Sequence, residues 1–217
     1  MRTDMQIRKD VLDELEWDPA IDAAGVGVEV RNGVVTLSGH LRSYPEKLAA
    51  ERAAQRVSGV KAVAVEADVR ISDGKARSDS DLALAASDAL RWNALVPEDS
   101  VKVLVEDGRL TLSGQVPWAY QRSAAESAVR DLLGVVSVNN QVTVRPKASA
   151  GNVKGKIEAA LHRAARLDAQ AITISVDSGR VTLDGTVHSL AERRLVEEAA
   201  WSATGVSAVV DRLQIVD

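Results

Sequence analysis

Three stretches of the chain repeat one another. Asn32-Gly33-Val34-Val35-Thr36-Leu37-Ser38-Gly39 returns as Asp107-Gly108-Arg109-Leu110-Thr111-Leu112-Ser113-Gly114. It returns again as Ser178-Gly179-Arg180-Val181-Thr182-Leu183-Asp184-Gly185, the offsets being 75 and then 71 residues. The same offsets carry Ser58-Gly59-Val60 onto Leu133-Gly134-Val135 and Thr204-Gly205-Val206. They also carry Val26, Val28 and Val30 onto Val101, Val103 and Val105, and then onto Ile172, Ile174 and Val176. Three separate landmarks sharing one pair of offsets exclude coincidence. The chain is an array of three copies of one supersecondary unit.

Each copy reads alike. An amphipathic helix comes first, with Ile7, Val11, Leu12 and Leu15 on one face and Asp10, Asp13, Glu14 and Glu16 outside it. Leu82, Ala86 and Leu90, then Val153, Ile157 and Leu161, are its counterparts. The Val26-Gly27-Val28-Glu29-Val30 alternation predicts a half-buried strand. Asn-Gly, Asp-Gly or Ser-Gly then predicts a tight hairpin turn at positive φ, leading to a second strand that ends at Gly39. A second helix is expected over roughly Tyr44–Val57, Trp118–Leu132 and Ser189–Ala203, with stripes Ala124, Ala128, Leu132 in the second copy and Leu195, Val196, Ala199, Ala203 in the third. A last strand is expected over Ala62–Ile71, Ser137–Val144 and Ser207–Val216. The order α-β-β-α-β predicts an α/β, two-layer sandwich: three tandem modules, each a small three-stranded mixed sheet packed against two helices.

Modules are expected at 1–71, 80–145 and 152–217, with polar linkers at 72–79 and 146–151. A module of ~70 residues has a marginal core on its own, so the modules should dock. Aromatic residues make up 3% of the chain and Phe is absent, so the core must be Val, Leu, Ile and Ala. With no Cys, disulfides, thiolate metal sites and cysteine nucleophiles are excluded. A net charge of -4 gives no bulk attraction to nucleic acid, and charge is spread evenly: -3, 0 and -1 over 1–74, 75–148 and 149–217. No stretch approaches the ~18 apolar residues of a membrane helix. Nor does the N-terminus hold the roughly 7–15-residue apolar run of a signal peptide, so the chain as written reads as cytoplasmic, and as periplasmic if a leader was removed.

The set of a helix, a V-x-V strand, a G-x-V-x-L-x-G hairpin, a second helix and a Gly-Val before the last strand resembles the BON domain, in three tandem copies over nearly all of the chain. That family occurs in bacterial osmotically inducible periplasmic proteins, secretory channel subunits, mechanosensitive channels and haemolysin-type lipoproteins. The resemblance implies the α/β sandwich and a binding role at phospholipid membranes. Potassium binding is implied where a BON domain is joined to a LysM domain, and no LysM-like segment is present here.

Few residues offer chemistry. Gly33, Gly108 and Gly179 are expected to supply positive φ, Gly39, Gly114 and Gly185 close backbone approach, and Gly59, Gly134 and Gly205 helix C-caps. Their bare carbonyls or amides are the alternative, a cation or small-ligand site. Gly25-Val26-Gly27 precedes a strand, so it is no nucleotide fingerprint. His40, His162 and His188 share no ligand spacing, and Ser38 and Ser113 become Asp184 in the third copy, so neither a metal site nor a Ser-His-Asp site is predicted. Trp17 and Trp92 occupy equivalent positions at the ends of first helices and are expected to seal the core edge. Trp118 starts a second helix beside Tyr120, and Trp201, two positions past Ala199, is expected to point outward. Trp118 and Trp201 are thus the candidate partner surface. The expectation is a protein without catalytic residues, cofactor or metal, binding a membrane phospholipid surface or a protein partner weakly and multivalently, with self-association as a further option and no nucleic acid. A potassium-like ion or small-ligand sensor is the alternative.

Overall fold

Helix starts are set by short polar side chains. In the computed structural model, which describes residues 2–71, 77–145, 153–163, 171–177, 179–203 and 205–216, α1 (Asp4–Trp17) begins where Thr3 and Gln6 bond each other's backbone amides. Ser43, Ser78 and Ser189 accept the amides of Glu46, Asp81 and Glu192, starting α2 (Tyr44–Arg56), α3 (Asp79–Arg91) and α6 (Leu190–Trp201). At α4 (Ala119–Arg130) Trp118 holds the N-cap place, and Gln121 Oε1 takes the Trp118 amide instead. Helix α5 (Val153–Arg163) opens the third module. Residues 72–76 and 146–151 of the linkers, Ser178, Thr204, and the side chains of Leu161, His162 and Arg163 lie outside the described residues.

The sheets follow one plan. In module 1, β1 (Val26–Arg31) runs antiparallel to β2 (Val34–Leu41), which runs parallel to β3 (Ala62–Val65) and β4 (Asp68–Val69). In module 2, β5 (Val101–Glu106) pairs antiparallel with β6 (Arg109–Val116), and β6 parallel with β7 (Ser137–Val144). In module 3, β8 (Ile172–Asp177), β9 (Arg180–Val187) and β10 (Ala208–Ile215) repeat the order. The hairpin strand is always central, and it carries the most deeply buried pairs: Val35 and Leu37, Leu110 and Leu112, Val181 and Leu183. Helices cover one face, burying Ile7, Val11 and Leu15 in the first module and Leu82, Ala86 and Leu90 in the second.

Three expectations are corrected. The last strand of module 1 is two pieces, not one strand over Ala62–Ile71. Its register is unbroken, since Val34 faces Ala62 and His40 faces Asp68. The gap coincides with Lys47 Nζ donating to the Ala67 carbonyl at 2.8 Å. Gly59, Gly134 and Gly205 lie beyond the C-cap residues Val57, Asp131 and Ser202. They hold positive φ at the third place of turns closed by Val60, Val135 and Val206 amides, so they turn the chain into the last strand rather than cap the helix. In α6 the stripe is Val196 and Ala200, with Ala199 and Ala203 at its margin and Leu195 exposed.

The modules dock through equivalent positions. Tyr44, at the start of α2, is 9% exposed because it sits in the core of module 2, with Leu48 beside it. Leu190, its counterpart in α6, packs against the core of module 1, where Arg194 also reaches Gln55 at 3.4 Å. Module 2 has only Ala119 at this position. At the seam between modules 2 and 3 the structure has a cleft of about 290 Å³ between β7, Arg122 and Trp201.

Candidate interaction surface

At each hairpin the turn needs left-handed backbone: Asn32 and Gly33 have φ of 53° and 79°, Asp107 and Gly108 50° and 71°, and Gly179 83°. In modules 1 and 2 an acid from the first helix clamps the turn. Asp4 takes the Asn32 and Gly33 amides at 2.7 and 2.9 Å, and Asp79 takes those of Asp107 and Gly108 at 2.8 and 2.9 Å. Sequence reasoning passed over this pair, although Thr3-Asp4 and Ser78-Asp79 stand 75 residues apart and the third copy has Ala150 there.

The hairpin carbonyls are already engaged. Gly33 C=O accepts from the Lys61 amide at 2.9 Å, Gly108 C=O from Val136 at 2.8 Å, and Gly179 C=O from Ser207 at 2.8 Å. At Gly39, Gly114 and Gly185 an added Cβ would stand 2.2, 2.1 and 2.1 Å from the carbonyl oxygens of Gly25, Ser100 and Ala171. Backbone therefore fills the space that a ligand would need beside those glycines.

Among the described residues the histidine and carboxylate side chains are dispersed. His40 is exposed, and His188 is exposed with Nδ1 3.4 Å from Glu192. Glu14 pairs with Arg56 at 2.7 Å, Asp13 with Lys9 at 2.6 Å, and Glu198 with Arg194 at 3.8 Å. Hydrogen bonding to Asp13 holds the exposed Lys9 ammonium above its ordinary pKa, with attraction to that carboxylate adding to it. Among the described residues no three His, Asp or Glu cluster so as to hold a metal ion.

The aromatic side chains depart from expectation. Trp17 and Trp92 do not seal the core: they are 83% and 82% exposed. Each lies two residues past a buried leucine, Leu15 or Leu90, which turns it about 200° away around the helix. Trp201, by contrast, is not a free outward indole. It follows the fully buried Ala200, packs at the edge of the module 3 core and lines the cleft toward module 2. Trp118 is 37% exposed, beside the more exposed Tyr120. The surface that results has two indoles at one repeat position, Trp17 and Trp92, and one further aromatic pair, Trp118 and Tyr120, on module 2. Among the described residues no helix is long and apolar enough to cross a membrane.

Comparison with known families agrees with this architecture. The model of the BON domain matches residues 3–71, 78–146 and 149–217. Over 129 residues the chain is 31% identical to the osmotically-inducible protein Y of Escherichia coli (strain K12), covering 58% of this chain and 64% of that one. The chain thus spans a little under two thirds of that relative's length. Among solved structures, CdsD, a structural protein of the type III secretion system of Chlamydia trachomatis, matches at 16% identity and a TM-score of 0.26, covering 96% of this chain and 91% of that one. The PrgH periplasmic domain matches at 14% identity and a TM-score of 0.21, covering 95% and 100%. With the three family matches falling one on each α-β-β-α-β unit, the chain belongs to the BON domain family.

Proposed function

We propose that this chain is a non-enzymatic, stress-associated binding protein whose three linked modules make weak, multivalent contact with a phospholipid surface. The observation that carries the reading is the pair Trp17 and Trp92, equivalent in the repeat and both more than four-fifths exposed. An indole joins a large apolar face to one N–H donor, which suits the headgroup layer of a bilayer. Two such groups on docked modules act with the avidity of linked sites. The net charge of -4 opposes attraction to anionic lipid, so binding rests on apolar contact and changes little with salt. Likeness to an osmotically-inducible protein supports the association with stress.

Vesicle co-sedimentation tests this, with zwitterionic and with anionic lipid at two salt concentrations. Trp17→Ala and Trp92→Ala should each weaken binding, and the double variant should abolish it while melting like the parent. Retention of full binding by the double variant would overturn the reading.

A further inference from the structure

We propose that two copies of this chain pair edge to edge through β5, giving an antiparallel β5–β5′ ladder about a two-fold axis at Leu104.

The first observation is an unguarded strand edge. The Gln115 amide donates to the Ser100 carbonyl at 3.2 Å, which fixes the phase of the β5–β6 ladder. Lys102, Leu104 and Glu106 therefore turn their backbone groups to β6, while Val101, Val103 and Val105 present theirs at the free edge. In module 1 the equivalent edge is covered: Arg8 Nε donates to the Val28 carbonyl at 2.9 Å. Module 2 has Ala83 in place of Arg8 and Ser87 in place of Leu12. The lost bulk leaves a groove of about 870 Å³ between α3 and β5, lined by Ala83, Leu84, Ser87, Val96, Val101 and Val103. A bare strand edge is a template for another strand.

The second observation says which strand. Along the outer face β5 reads Lys102, Leu104, Glu106, all exposed, and Leu104 is 56% exposed. Antiparallel self-pairing about Leu104 sets Lys102 opposite the partner copy's Glu106 and Leu104 opposite its own copy, twice over by symmetry. These pairs fall at non-hydrogen-bonded sites, where facing side chains approach closest, and Val103 and Val105 exchange the backbone bonds. Neither Lys102 nor Glu106 is ion-paired to another described residue in the single chain. The other two modules lack this complementarity. In β1 the same pairing would set Glu29 against Glu29, and β8 offers only Thr173, Ser175 and Asp177. With the axis perpendicular to the sheet, the two α3 helices lie on one face and Leu84 of each closes the groove.

Sedimentation equilibrium of the full chain, from about 10 μM to about 1 mM, reads the result. The parent should show a concentration-dependent dimer. Lys102→Glu and Glu106→Lys should each weaken it about tenfold or more, since each turns two attractions into repulsions. The double variant Lys102→Glu/Glu106→Lys should restore it. Because the chain has no Cys, Leu104→Cys should cross-link to a symmetric dimer under oxidation. Circular dichroism confirms that each variant is folded. A parent that is monomeric throughout, or a dimer indifferent to the single reversals, overturns the proposal.

Discussion

At Gly114 a single methyl group decides the path of a strand. Its Cβ would lie 2.1 Å from the Ser100 carbonyl oxygen and 3.2 Å from the Val101 Cα, and its φ of 138° is one that L-residues rarely adopt. The Ser100–Val101 backbone cannot yield without breaking the hairpin ladder. Gly114→Ala should therefore lower the stability of module 2 by about 1–3 kcal/mol from strain alone. Gly27 is the control: the nearest atom to its Cβ is the Ser38 hydroxyl, which can rotate away, and Gly27→Ala should cost far less. Urea unfolding of the two variants checks the difference, and equal losses would contradict it. Asp79 supplies a second test, because its carboxylate serves both turn amides of the second hairpin. Asp79→Ala should cost about 1–3 kcal/mol, the penalty for orphaned donors, whereas Asp79→Asn should keep one acceptor and part of that stability.

At the scale of elements, α4 starts without the serine that starts α2 and α6. Trp118 stands where Ser43 and Ser189 stand, in the extended conformation of an N-cap but with no side-chain acceptor for the helix amides. Trp118→Ser should stabilise module 2 by about 1 kcal/mol. A thermal melt reads that gain, and an unchanged or lower melting temperature would count against the cap argument. The alternation of Val26, Val28 and Val30 and the Asn-Gly, Asp-Gly and Ser-Gly turns make the hairpins legible in the sequence, since side-chain period and turn chemistry are both local. The split of the last strand of module 1 is not legible there, because it coincides with the Lys47 contact at Ala67, 20 residues away. The indoles show the same limit. Trp17 and Trp92 look like core residues by type, yet counting two residues on from Leu15 and Leu90 already places them outside. Trp201 fails the same count only because the stripe of α6 runs through Ala200 rather than Ala199.

Across the whole molecule, the first residue of α2 stitches module 1 to module 2. Tyr44 reaches past its own sheet into the neighbouring core, with the Val138 amide facing its phenol oxygen. Burial pushes the phenol above its ordinary pKa of about 10. The Val138 amide opposes that rise, Glu126 and Glu51 add to it, and Arg130 works against it. The native state thus favours the neutral phenol more than the unfolded chain does. Its contribution is fully present below pH of about 10 and is lost as pH climbs through the raised value, where a phenolate would have to sit in an apolar seam. The two tyrosines of the chain are Tyr44 and Tyr120, so in a Tyr120→Phe background the phenolate absorbance reports Tyr44 by itself. Its titration midpoint should lie above the value for the urea-unfolded protein. Replacement by Phe keeps the ring in the seam and removes the titrating group. Tyr44→Phe should therefore lose less stability than the parent between pH about 9 and about 11, and the pH slope that vanishes is the share owed to Tyr44. A midpoint equal to that of the unfolded chain, together with parallel alkaline slopes for parent and Tyr44→Phe, would show the phenol to be solvated and the seam between the first two modules open.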